Sequence, residues 1–205
     1  MPKGSPERTA ARKEEIINAC EKLYQTMSFK DITLKEIGNE TSFSRPTIYN
    51  YYQTKEEIFL ALFEREYVRW NDELQTILQD NRKLTKAELA EKLAASLANR
   101  QQLLKLLAMN NYDMEENSRE ERLTSFKVAY GESIKNVSSI LTKFCPKKSD
   151  AEIQNIIYIF FQFMFGIYPY TAVTDKQKKA MKEAKVDFVY QSVFEITNNC
   201  LLKLL

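Results

Sequence analysis

Residues 33–55 read TLKEIGNETSFSRPTIYNYYQTK, and the fold class follows from how this stretch divides. Thr33 and Glu36 have the T-x-x-E spacing of a capping box, in which two side chains reciprocally satisfy backbone donors orphaned at a helix start. The spacing predicts a short helix over 34–40, with Ile37 and Thr41 facing inward and Gly38 leaving room for another helix. Thr41-Ser42-Phe43 reads as a turn. Ser44 has the chemistry of an N-cap, and Pro46 then falls in the first turn of a second helix, where its missing N–H costs nothing. Two short helices joined by a tight turn form a helix-turn-helix, whose second helix can lie in the major groove of DNA.

That second helix sorts its residues by face. Ile48 and Tyr52, four apart, point together and pack back onto the preceding helices. At about 100° per residue, Pro46, Thr47 and Asn50 fall on the opposite face. Arg45 sits at the exposed N-terminal end, and Tyr49 and Tyr51 flank the outward face. Arg pairs bidentately with guanine, Asn with adenine, and a Thr methyl can touch the thymine methyl. Arg45, Thr47, Asn50 and Tyr51 are therefore expected toward bases, and Pro46 is expected at the DNA interface beside them. Thr33, Lys35, Ser44, Tyr49 and Lys55 are expected toward phosphates. Thr54 and Glu57 form a second box that opens the next helix, and its free N–H groups, with Lys55 beside them, suit a phosphate oxygen.

The stretch closely resembles the DNA-binding domain of the tetracycline-repressor (TetR) family. That pattern has a Thr opening the second helix, a helix-turn-helix ending in Thr-aliphatic-Tyr-x-aromatic-aromatic, then Lys-Glu. Those positions here are Thr33, Thr47-Ile48-Tyr49-Asn50-Tyr51-Tyr52 and Lys55-Glu56. One departure is Thr41-Ser42, where the family often has Ala-Gly before the hydrophobic residue of the turn. By motif the resemblance covers about the first 65 residues; beyond them it rests on helix pattern and length. It implies an all-α protein of about nine helices, with a helix-turn-helix domain over 1–54 and a helical effector-binding and dimerisation domain over 55–205. It also implies a homodimer paired through the last two helices, which sets two recognition helices on successive major-groove faces of a near-palindromic operator. A ligand-responsive repressor is the family's usual mode.

Composition bounds the alternatives. In 205 residues, 44% are hydrophobic and 28% charged, ordinary values for a globular protein. Only 4 Gly and 5 Pro leave few breaks, which favours long helices. The net charge of +2 neither supports nor excludes a nucleic-acid partner, since a dimeric reader needs only a local positive surface. The chain has no His, which removes the usual general base near neutral pH and the commonest transition-metal ligand. With no E-x-x-H, Ser-His-Asp or glycine-rich phosphate loop, no catalytic residue, metal or cofactor is expected. Cys20, Cys145 and Cys200 are far apart and read as free thiols in a reducing cytoplasm. The first fifteen residues lack the apolar core of a signal peptide. The longest apolar run, 156–170, is interrupted by Gln162 and is shorter than the roughly 20 residues of a membrane span.

Along the chain, an apolar stripe through Ile16, Cys20, Leu23 and Met27 predicts a first helix over 9–27. Further helices are expected over 54–79, 85–98, 101–110, 119–144, 149–168 and 178–205, with 113–122 a solvated, charged connection and Pro169 a helix stop. From Ile156 onward the eighth helix is apolar nearly all round, so one side needs a partner chain or a ligand. Tyr67, Trp70, Tyr112, Phe126, Tyr130, Phe160, Phe163 and Met164 are the large side chains expected around a small apolar or aromatic effector, since pockets between helices are common small-molecule sites. The alternatives are a DNA-binding protein without an effector and an all-helical enzyme with a vestigial DNA-binding domain.

Overall fold

The structure, a computed structural model, describes residues 5–109 and 111–205, and side chains at all of these except 111–113. All regular structure in it is α-helical: α1 Pro6–Thr26, α2 Leu34–Asn39, α3 Arg45–Ile48, α4 Lys55–Asp80, α5 Lys86–Ala98, α6 Gln101–Leu107, α7 Asn111–Glu116, α8 Glu120–Phe144, α9 Asp150–Thr171, α10 Asp175–Glu183 and α11 Val193–Leu204. The all-α class stands, with eleven helices among the described residues instead of nine.

By contacts the chain forms two compact units. The first takes Met1–Arg65 and Asn110–Ala129. Its core is the apolar stripe of α1 (Ile16, Cys20, Tyr24) with Ile32, Ile37, Ile48, Tyr52 and the first turns of α4, all buried. Phe59 anchors it, with Tyr24 and Phe29 edge-on at 5.1 and 4.8 Å between centroids. Arg65 ties α4 to α1 through Glu14 (2.5 Å), Asn18 (2.6 Å) and Glu21 (2.8 Å). Cys20 is a core residue, and burial pushes its thiol pKa up and away from reactivity.

The second unit takes Glu66–Met109 and Tyr130–Leu205. Here α11 packs chiefly on α5, and α6 and α11 pack on α9. Capping boxes at Thr85 with Glu88 and Ser149 with Glu152 start α5 and α9 where their spacing predicts.

Three stretches depart from the sequence reading. The charged run after residue 110 contains a short helix, α7. Pro169 lies inside α9 and does not stop it; the Thr171 hydroxyl donates to the Ile167 carbonyl at 2.9 Å, and the helix ends two residues after the proline, at Thr171. The single helix expected over 178–205 is two. Thr174 with Gln177 and Ser192 with Glu195 form capping boxes that open α10 and α11. Between them α10 ends on Lys185, which adopts φ 55°. The N–H of Lys185 reaches the Lys182 carbonyl and that of Val186 the Met181 carbonyl, the paired bonds of a Schellman closure. Val186, Val189 and Tyr190 therefore lie outside any helix, exposed. As expected of an all-round apolar helix in one chain, α9 leaves Tyr158 (71% exposed) and Ile159 (48%) uncovered.

Candidate nucleic-acid interface

Helices α2 and α3 approach closely because Gly38 has no side chain. A Cβ there would stand 3.3 Å from Cβ of Arg45. The turn between them is held by side chains. Thr41 Oγ1 lies 3.0 Å from the carbonyls of Gly38 and Phe43. From α1, the Glu15 carboxylate accepts the Ser42 N–H and, at 3.1 Å, the Ser42 hydroxyl. Thr41-Ser42 thus closes the turn by hydrogen bonding. Glu15 is a site residue that sequence reasoning missed, and no local spacing links residues so far apart.

Thr33 caps α2 by accepting the Lys35 N–H at 3.2 Å, and its hydroxyl donates to the Glu36 carboxylate. Thr33 and Lys35 are both exposed there. Ser44 occupies the N-cap of α3 in extended conformation, but its hydroxyl sits 3.3 Å from that of Thr47 and bonds no backbone donor. Only Arg45–Ile48 is regular helix; Tyr49 to Tyr51 continue as turn. Ile48 and Tyr52 are buried, while Arg45, Pro46, Tyr49 and Asn50 are exposed and Thr47 is partly so. Arg45 Nη2 donates to the Tyr49 hydroxyl at 3.1 Å, with the guanidinium 5.9 Å above the ring. This contact pre-orients a planar donor on the outward face.

Two expected contact residues are engaged inside the head instead. Tyr51 is half-buried, and its hydroxyl accepts Arg12 Nη1 at 3.4 Å, which turns it toward α1. Lys55 Nζ donates to the Phe29 carbonyl at 2.8 Å and lies 4.2 Å from the centre of the Phe29 ring. The ammonium finds an acceptor and an aromatic face within its own unit, which draws it from the solvent side.

The second unit gathers several of the expected effector residues. Tyr67 lies 5.5 Å from Tyr130 and 6.4 Å from Trp70, and Phe161 lies 5.7 Å from Tyr130 and 5.9 Å from Trp70. Phe160, 6.2 Å from Phe161, and Met164 are buried on the same helix. Polar atoms are threaded through this unit. Trp70 Nε1 donates to Ser96 Oγ at 3.0 Å, and Gln75, Asn136 and Asn71 form an amide chain of 2.5 and 3.1 Å. These were not anticipated, although Asn71 interrupts the apolar stripe directly after Trp70. The remaining three residues lie elsewhere. Phe126 packs on Phe63 at 4.8 Å in the first unit, for both belong to the stretches that fold there. Phe163 lines an open groove of about 380 Å³ with Gln162, Gly166, Tyr170 and Ile196. The side chain of Tyr112 lies outside the described residues.

Two domain-family profiles match this arrangement. One, described as bacterial regulatory proteins of the tetR family, takes residues 16–62. The other, described as a tetracyclin repressor-like C-terminal domain, takes residues 64–191. The chain belongs to the tetracycline-repressor family. Members of this family are transcriptional regulators with a helix-turn-helix. An uncharacterized HTH-type transcriptional regulator of Bacillus subtilis (strain 168), YfiR, is 32% identical over 63 residues, a match spanning 31% of this chain and 31% of that protein. Two solved structures share the fold. The regulator FadR of Bacillus subtilis, in complex with stearoyl-CoA, has a TM-score of 0.61 at 16% identity, over 93% of this chain and 96% of that one. FadR of Thermus thermophilus, a repressor in complex with lauroyl-CoA, has a TM-score of 0.59 at 19% identity, over 94% of this chain and 92% of that one. Among the described residues no single helix is long and apolar enough to cross a membrane.

Proposed function

We propose that this tetracycline-repressor family member is a ligand-responsive repressor that binds a near-palindromic operator as a homodimer in the cytoplasm. Residues 1–54 read the DNA and residues 55–205 hold the effector and pair the chains. The observation that carries the reading is the division of the second helix-turn-helix element. Its apolar residues Ile48 and Tyr52 are buried, and its hydrogen-bonding residues Arg45, Thr47 and Asn50 share the outward side. Arg45, Thr47 and Asn50 meet base edges, with Pro46 alongside. Thr33, Lys35, Ser44 and Tyr49 fix the register on phosphates.

Dimerisation is supported by the uncovered apolar surface of α9 and α11. Tyr158, Ile159 and Tyr170 on α9 and Phe194 and Leu202 on α11 are all exposed large hydrophobics. Large apolar side chains left exposed along two helices of one chain are candidates for burial against a second chain. The effector is a small apolar or aromatic molecule, supported by the aromatic cluster around Tyr67, Trp70 and Tyr130 with its interleaved amides. Because two fold relatives are solved with acyl-CoA thioesters, whose acyl chains are apolar although the CoA head is charged, lauroyl-CoA and stearoyl-CoA are tested beside simple lipophilic compounds. Such a ligand acts by binding one arrangement of the helices better than the other, and so shifts operator affinity.

The test is fluorescence anisotropy on a duplex that the whole protein selects from a random-sequence pool. The proposal expects tight, salt-sensitive binding with two chains per site and release by at least one lipophilic compound. Binding that no acyl-CoA, fatty acid or aromatic acid disturbs would leave a DNA-binding protein without an effector. Failure to select any duplex at low salt would remove the regulatory reading altogether.

A further inference from the structure

From its composition the run DMEENSREER at 113–122 is a solvated connection, yet its second half is fastened to the exit of the recognition helix. The Tyr51 carbonyl, in the turn that follows α3, accepts Arg122 Nη2 at 2.9 Å and Arg119 Nη2 at 3.4 Å. The Arg122 guanidinium also covers the Tyr52 ring at 5.0 Å. Arg119 forks onto Glu57, with Nε to Oε1 at 2.6 Å and Nη2 to Oε2 at 2.9 Å, and adds its backbone N–H at 3.2 Å. Glu57 is fully buried and takes the Gln53 N–H at 2.8 Å as well. Nearby, the Thr54 hydroxyl donates to the Asn117 carbonyl at 2.8 Å.

These bonds fall where the backbone has least support of its own. Helix α3 is four residues long, so its last carbonyls have no full helical ladder behind them. Cationic groups at a helix C-terminal end are favourable electrostatically as well as by hydrogen bonding. The carbonyl they grip belongs to Tyr51, the residue directly after Asn50. A small tilt at this point would move the Asn50 side chain against the bases, whereas phosphate contacts from Thr33 and Lys35 on α2 would be unaffected. A reading surface needs supporting residues that lock it in place to within a fraction of an ångström.

We propose that Arg119 and Arg122 are positioning residues of the DNA-reading surface, acting through the Tyr51 carbonyl and the Glu57 carboxylate. Base discrimination, not phosphate affinity, depends on them. This rests on the assignment of α3 as the recognition helix.

The experiment compares the whole wild-type protein with Arg122→Met, Arg122→Lys, Glu57→Gln and Arg45→Ala. Each is titrated against the selected duplex and a scrambled one over a range of salt, and each thermal midpoint is recorded. Arg122→Met keeps the stem over Tyr52 and loses the donors. It is expected to weaken binding to the selected duplex at least tenfold and to the scrambled one less than twofold, with the salt slope unchanged. Arg122→Lys is expected to recover much of the preference, because an ammonium can still donate to the carbonyl. Glu57→Gln is expected to fall between them, and it carries the test should Arg122→Met fail to fold. Equal loss on both duplexes with a slope shallower by about one would make Arg122 a phosphate contact and overturn the proposal. So would an Arg122→Met protein that discriminates as wild type does while Arg45→Ala does not. If Arg45→Ala itself keeps the full preference, the recognition-helix assignment falls and takes this proposal with it.

Discussion

Glu57 and Arg119 are 62 residues apart in sequence and form a forked ion pair of 2.6 and 2.9 Å, with the carboxylate wholly buried. Burial alone would raise the Glu57 pKa. The hydrogen bonds from Arg119, with those from the backbone N–H groups of Gln53 and Arg119, outweigh it and hold the carboxyl below its ordinary value. Removing one partner leaves a buried charge without its counter-ion. Arg119→Met is expected to destabilise the protein by about 2–3 kcal/mol, at or below the low end of the range for broken buried pairs because the arginine is partly exposed. Urea unfolding at neutral pH measures this; a loss under half a kcal/mol on that order-of-magnitude scale would show that the pair is dispensable.

The same pair makes stability depend on acid. The folded-state pKa of Glu57 is depressed, so its contribution is complete above the unfolded value of about 4.3 and is lost as pH falls through the folded value. The stability gap between wild type and Glu57→Gln should therefore narrow as pH drops from 6 into the acid range. A gap that is constant across this range would assign the effect to packing and not to charge.

Arg45 and Asn50 are expected to carry base recognition. Arg45→Ala should cost about 1–3 kcal/mol on the selected duplex and relax preference at one base position. Tyr49→Phe tests the support of Arg45, since it removes the hydroxyl that takes Nη2 at 3.1 Å. It should produce a smaller loss at the same position. An equal loss on selected and scrambled duplexes for Arg45→Ala would sink the base-contact assignment.

Lys55 separates two roles. With Nζ committed to the Phe29 carbonyl and ring, Lys55→Met is expected to lower stability by about 1 kcal/mol and leave the salt slope of DNA binding nearly unchanged. A slope shallower by about one, with stability untouched, would return this residue to the phosphate backbone.

The exposed apolar surface of α9 predicts the oligomeric state. Ile159→Asp places a charge where the proposal has a second chain. Sedimentation velocity should show the wild type as a dimer and the variant as a monomer, with operator binding reduced at least a hundredfold at nanomolar protein. A wild type that sediments as a monomer at all concentrations would refute the pairing.

What could be read from the sequence was what is local. Thr33, Thr85 and Ser149 announce helix starts because a cap needs only itself and residues two or three positions on. The inward placement of Ile48 and Tyr52 follows from helical spacing alone. The Arg119–Glu57 pair and the grip of Glu15 on Ser42 were hidden, because nothing near either residue signals a distant partner. The engagement of Lys55 by Phe29 was hidden for the same reason. The break after Glu183 was concealed differently. Val186, Val189, Tyr190 and Val193 continue a helical-looking stripe, and the helix stops on Lys185 in a conformation that glycine usually supplies. The S-x-x-E at 192–195 was the available signal, since a capping box in mid-helix is a contradiction; the T-x-x-Q at 174–177 marks the start of α10.

That interruption makes the chain divisible without taking it apart. Val186 to Tyr190 is an exposed, non-helical run with Lys182 and Lys185 just before it, open to trypsin. The downstream helix, α11, packs along α5 and buries Thr197 and Leu201. Light digestion should therefore cut here first and yield two peptides on a denaturing gel that still travel together through a sizing column.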